Sequence, residues 1–196
     1  MPQTPSAPHK NLLEDLCSSD PDRQNNAFQS LLNATDSRVD WAYQVWEDLL
    51  PTVVDGDNRQ RSIAAQVLSN LAKSDPKERM LKDLAALLKV TKDERFVTAR
   101  HCLQSLWKVG VAGAPQCKAL LRGLEARFKE CKAEKNGTLI RYDVLVVLRR
   151  VFDLVKDQQI RLTAERLMAM EGDPKYRKKY ATVWRESKPG AICKLS

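Results

Sequence analysis

One phrase recurs along this chain: an acidic or turn residue, four positions later a long polar side chain, and then a fixed comb of apolar residues. The fullest copy is Asp57, Arg61, Ala64, Val67, Leu68, Leu71. The spacing returns in Asp157, Arg161, Ala164, Leu167, Met168 and in Asp173, Arg177, Tyr180, Val183, Trp184. Gly137, Arg141, Val144, Val147, Leu148, Val151 keeps the arginine without the acid. Asp20, Gln24, Ala27, Ser30, Leu31 and Lys92, Phe96, Ala99, Cys102, Leu103, Leu106 keep mainly the comb. Residues three, four and seven apart share one side of an α-helix, so each comb is an apolar stripe that a single helix cannot cover. Self-similarity at a period of roughly 35 to 45 residues marks stacked helical hairpins. The acids Asp57, Asp157 and Asp173 suit helix starts, where free N–H groups and the dipole favour a side-chain oxygen.

Breakers fall at helix-length intervals, and sustained alternation of the strand type is nearly absent. Reading from Pro21, Pro51 to Gly56, Asp75-Pro76, Gly110 to Pro115, Asn136-Gly137 and Asp173-Pro174, the sequence predicts ten helices. They run near 9–18, 20–34, 38–50, 57–73, 75–90, 93–110, 114–134, 138–155, 157–171 and 174–187, forming five hairpins. Residues 1–8 hold three prolines and read as a leader, 9–188 as one domain, and 189–196 as a tail. No apolar run approaches the roughly 18 to 20 residues a bilayer crossing needs, so no membrane is expected.

The pattern Asp-x-x-x-Arg-x-x-Ala-x-x-[Val/Leu]-[Leu/Met] resembles the second helix of a HEAT repeat. The likeness extends from about residue 10 to about residue 187. It implies an all-α, right-handed α-α superhelix. It also implies an Asp–Arg ladder between repeats, here Asp57, Arg61, Arg141, Asp157, Arg161 and Arg177, interrupted at Gln24 and Phe96.

Five cysteines, an odd number without a Cys-x-x-Cys pair, and two histidines argue for a reducing, cytoplasmic setting and against a zinc site. Cys17, Cys102, Cys117 and Cys131 sit among apolar residues and read as small buried hydrophobes, and Cys193 as an exposed tail thiol. Cys102 and His101 are adjacent on a helix and therefore do not face each other. No nucleophile elbow, phosphate loop or paired metal ligands are present, so neither catalysis nor a cofactor is expected. The chain is similar in size, basic character and its four tryptophans to the alkylpurine DNA glycosylases, which are built from HEAT-like repeats and use a basic groove with aromatics and an aspartate. It departs after Trp107, where Lys108 to Val111 supply no acid. Core packing is the expected role of each tryptophan.

Charge is the strongest functional clue. Residues 1–98 carry 12 basic against 15 acidic side chains, a net of −3, while residues 99–196 carry 21 against 10, a net of +11. A field of one sign on half of an elongated molecule attracts phosphate backbones or acidic proteins. Lys118, Arg122, Lys129 and Lys132 share one helix face, opposite Leu120, Leu124 and Phe128, and Arg149, Arg150, Arg177, Lys178 and Lys179 add charge downstream. If the second helices line an inner curve, residues just off each comb form a ridge: Gln66, Asn70, Lys73, then His101, Ser105, Lys108, then Val146, Arg150, Asp153. The expected function is a non-catalytic scaffold docking a protein partner through this ridge or the basic half. The alternative is nucleic-acid binding, extending to a base-repair enzyme of the glycosylase type.

Overall fold

The computed structural model describes residues 8–185. Among these the secondary structure is entirely helical: α1 (Pro8–Leu16), α2 (Pro21–Ala34), α3 (Ala42–Asp55), α4 (Asn58–Leu71), α5 (Met80–Val90), α6 (Phe96–Ser105), α7 (Trp107–Gly110), α8 (Ala114–Glu130), α9 (Gly137–Val155), α10 (Gln158–Ala169) and α11 (Pro174–Val183). Short 3-10 turns, Ala72–Ser74 and Cys131–Ala133, follow α4 and α8. Consecutive helices pair as five hairpins that stack in chain order. A first layer holds α1, α3, α5, α8 and α10; a second holds α2, α4, α6 with α7, α9 and α11. This is an all-α, solenoid-like architecture. Among the described residues no helix is long and apolar enough to cross a membrane. The predicted tail and Cys193 lie outside the described residues.

The combs form the seam between layers. Ala64, Val67, Leu68 and Leu71 are buried, as are Val144, Val147, Leu148 and Val151 from α9 and Ala164 and Leu167 from α10. Each large aliphatic side chain removed from water contributes about 2 kcal/mol. The predicted caps are in place. Asp20, Asp57, Asp157 and Asp173 each accept from backbone N–H groups of the following turn, and Asp57 with Gln60 closes a reciprocal capping box.

Several predicted boundaries shift, among them the start of α3, at Ala42 rather than 38, and three of the shifts have a visible cause. Helix α3 runs through Pro51 to Asp55. Pro51 is solvent-exposed and withholds one N–H, whereas Leu49 and Val53 on either side are buried, so packing of the apolar face outweighs one missing bond. Helix α5 starts at Met80 because Asp75 folds the preceding turn, accepting from the Met80 N–H at 2.7 Å while Glu78 adopts φ 53°. The helix predicted over 93–110 is divided at Leu106, where Leu106 N–H and Val109 N–H each bond three residues back.

The long polar residue of the phrase serves a purpose the ladder expectation did not contain. In four hairpins it donates to a carbonyl at the end of the helix before it. Gln24 Nε2 reaches Leu16 O at 2.8 Å, Arg61 reaches Gly56 O at 2.6 Å, Arg141 Nε reaches Phe128 O at 3.0 Å, and Arg177 Nε reaches Glu171 O at 2.9 Å. These groups satisfy carbonyls that a helix end leaves without a partner. In the middle hairpin Phe96 cannot donate, and Arg127 of α8 reaches Thr91 O at 3.1 Å in its place. Gln24 therefore belongs to this helix-closing series within its own hairpin. Rungs between repeats do form at two of the arginines, but to other acids: Arg61 to Asp93 at 2.6 Å and Arg141 to Glu171 at 2.9 Å. Asp57 and Asp157 act as caps, and Arg161, on first-layer helix α10, reaches Glu165 of its own helix.

Candidate anion-binding face

Second-layer helices position the cations that matter here. Lys73 sits in the 3-10 turn after α4, Lys108 on α7 and Arg150 near the end of α9. They converge closely enough to affect one another. Burial lowers the Lys108 ammonium from its ordinary pKa, and repulsion from Lys73 and Arg150 lowers it further, with Asp36 pulling the other way. Burial also lowers Arg150. The Arg150 guanidinium carbon lies 3.8 Å from the centre of the Trp107 ring, a cation–π contact on a half-buried indole. Lys73 Nζ donates to the Asp36 carbonyl at 2.6 Å. Among the described residues no carboxylate comes within ion-pair distance of Lys73, Lys108 or Arg150.

The arrangement extends across α9 and α11. Arg149 lies 5.7 Å from the Trp184 ring and is held by both Asp153 oxygens at 2.9 Å. Lys179 stands 5.0 Å from the Tyr142 ring. Asp143 is matched by Arg100 at 2.8 Å and Gln104 at 3.2 Å. Aromatic rings on this face thus hold cations in place, and its carboxylates Asp143 and Asp153 are committed to arginines. Chemically, such a face can neutralise and position a row of anionic groups.

The expected ridge is only partly accessible. Gln66, Lys73, Lys108 and Val146 are half-buried, and His101, Arg150 and Asp153 are exposed. Asn70 and Ser105 are buried instead: Asn70 donates to Leu32 O and Thr35 Oγ1, and Ser105 to Ser69 Oγ. Both fall where neighbouring second-layer helices meet, so they tie repeats together and offer nothing to a ligand. The α8 stripe stands apart. Lys118, Arg122, Lys129 and Lys132 are all exposed but belong to the first layer, away from Arg150. Lys129 is paired with Glu125 at 2.8 Å, and Glu125 also accepts from Arg166 at 3.0 Å. On α11, Lys178 and Lys179 are exposed, whereas Arg177 is used in capping α10.

The tryptophans divide. Trp46 is fully buried with Nε1 donating to Asp83 at 2.9 Å, as expected of a core residue. Trp41, Trp107 and Trp184 only lean against the core with part of each ring open, Trp41 stacking on His9 at 4.9 Å. The meeting of Trp107 with Arg150, 43 positions on, was missed because the comb identifies apolar stripes and is silent about their edges. A separation close to one repeat was the available signal. Among the cysteines, Cys102, Cys117 and Cys131 are buried and burial raises each thiol pKa, while Cys17 is exposed, lying one residue past the end of α1 where helical periodicity no longer applies.

No family model matches this chain, and no curated protein does. Among solved structures, the chain is similar to a crystal structure of an engineered protein, with a TM-score of 0.51 and 15% sequence identity over 91% of this chain and 88% of that one. A likeness at that identity speaks to the fold alone.

Proposed function

We propose that this chain is a non-catalytic, HEAT-like binding module whose second-layer face neutralises the phosphates of a nucleic acid. The observation that carries this reading is the packing of α7 against the turn after α4 and against α9, which brings Lys73, Lys108 and Arg150 together without a carboxylate partner; Lys108 is depressed first by burial and then by its two cationic neighbours. Like charges held together relax when anions enter between them. The stacked rings of Trp107, Tyr142 and Trp184 supply orientation. Base removal is not part of the proposal, since Val111 stands one turn after Trp107 and the nearby acids are paired. The separation of the α8 stripe from this face favours a groove-sized polyanion over a charge-coated shell.

The test is the salt dependence of binding to a short duplex. Three phosphate contacts give a slope of about −2.7 in log affinity against log salt, so affinity drops about fortyfold for a fourfold rise in salt. The triple variant Lys73→Gln, Lys108→Gln, Arg150→Gln is expected to flatten that slope towards zero. Duplex affinity that ignores both salt and the triple variant would overturn the reading and return weight to a protein partner.

A further inference from the structure

We propose that the N-terminal half of the second layer carries a separate pocket for a small organic carboxylate with an apolar body. A cavity of about 510 Å³ opens between α2, α4 and α6. Phe28, Ile63, Phe96 and Val97 give it apolar walls, and Arg59 and Arg95 give it a cationic side next to the His101 imidazole. Val97 is 62% exposed, a β-branched side chain that the core does not use.

Two observations select the ligand's charge. Residues 1–98 carry a net of −3, yet no carboxylate lines this cavity. The Arg95 guanidinium has no hydrogen-bond or ion-pair partner among the described residues, whereas Arg59 is anchored to Pro21 O at 3.2 Å and His101 Nδ1 lies 3.4 Å from Ser62 Oγ. An unengaged guanidinium fork matches a carboxylate in two-pronged geometry. The apolar walls ask for a body of the size of an aromatic ring on a short linker, roughly a dozen non-hydrogen atoms, which a pocket of this volume accommodates. A cation would meet like charge, and a neutral apolar molecule would leave Arg95 unused. None of these residues belongs to the Lys73, Lys108 and Arg150 cluster.

Three probes of one shape decide the matter: phenylhexanoate, phenylhexanamide and phenylhexylamine, titrated into the full chain at neutral pH and followed by methyl NMR of Ile63 and Val97. Phenylhexanoate is expected to shift both saturably with a Kd of about 1 mM or tighter. The amide should bind about tenfold more weakly, and the amine should leave both signals in place. Arg95→Gln, an exposed change, should reduce carboxylate affinity about fivefold and leave the amide unaffected. Val97→Asp should remove binding of both. Absence of any shift at Ile63 and Val97, equal binding of amine and carboxylate, or indifference to Arg95→Gln would overturn the proposal. The triple variant of the cationic face should keep phenylhexanoate binding, so either reading fails independently of the other.

Discussion

Replacing Arg141 with Met tests whether the repeat arginines hold the stack together. Arg141 is 5% exposed, donates to Phe128 O at 3.0 Å and to Glu171 at 2.9 Å, and lies 4.6 Å from the Phe128 ring. Methionine fills most of the volume but leaves the Phe128 carbonyl without its donor and Glu171, itself 7% exposed, without its counter-ion. Removing one partner of a buried pair costs about 3–5 kcal/mol, a large share of the ~5–15 kcal/mol that holds a domain together. Because each hairpin contacts mainly its neighbours, the loss should fall on the junction with α10 and α11. Urea denaturation should show an early transition, and amides of α10 and α11 should exchange faster than those of α4. Adding Glu171→Gln removes the stranded charge, so the double variant should recover about 2 kcal/mol against the sum of the single costs. Costs that add within about 0.5 kcal/mol, or exchange that quickens uniformly along the chain, would refute the reasoning.

Acid should weaken that junction and the α8–α9 turn. Arg127 holds the Glu134 carboxyl below its ordinary pKa. Burial opposes ionisation of Glu171, but bonds from the Asp173 N–H and Arg141 outweigh it and leave that carboxyl low as well. A carboxyl depressed on folding stabilises above its unfolded pKa of about 4.3 and loses that contribution as pH falls through the folded value. Thermal stability should therefore be level above about pH 6 and decline from about pH 5 downward, with a shallower decline in Glu171→Gln; an unchanged profile in that variant would count against the assignment. Gly137→Ala would place a Cβ 2.1 Å from the Cys131 carbonyl oxygen, which is backbone, so a loss of about 3 kcal/mol or more is expected by denaturation. In the native protein Cys17 should react with a thiol reagent within the time that leaves Cys102 and Cys131 untouched, and equal rates would contradict their placement.

Local chemistry was legible in the sequence; geometry shared between distant repeats was not. Asp57, Asp157 and Asp173 could be recognised as caps because a cap is decided by the few residues that follow it. The combs of α4 and α9 placed their core residues correctly for the same reason. The donor for Thr91 O could not be found locally, since Arg127 arrives from a neighbouring hairpin, 36 positions away. Not every position of the expected ridge reaches solvent. Asn70 and Ser105 lie only a few residues from exposed positions, yet adjoining helices of the layer close over them. Lys73, Lys108 and Arg150 already share the expected ridge, but the contact of Arg150 with Trp107 depends on how two repeats are turned against each other, which no single comb encodes.

The unequal sourcing of the helix-closing donors bears on how such a chain can be lengthened or cut. Hairpins α1–α2, α3–α4, α8–α9 and α10–α11 each carry their own closing side chain, although Arg61–Asp93 and Arg141–Glu171 still tie neighbouring hairpins together. The middle hairpin borrows Arg127 from the next one along. A fragment ending before α8 would strand the Thr91 carbonyl, and one ending after α9 would part Arg141 from Glu171, so a cut at either place leaves a buried polar group without its partner.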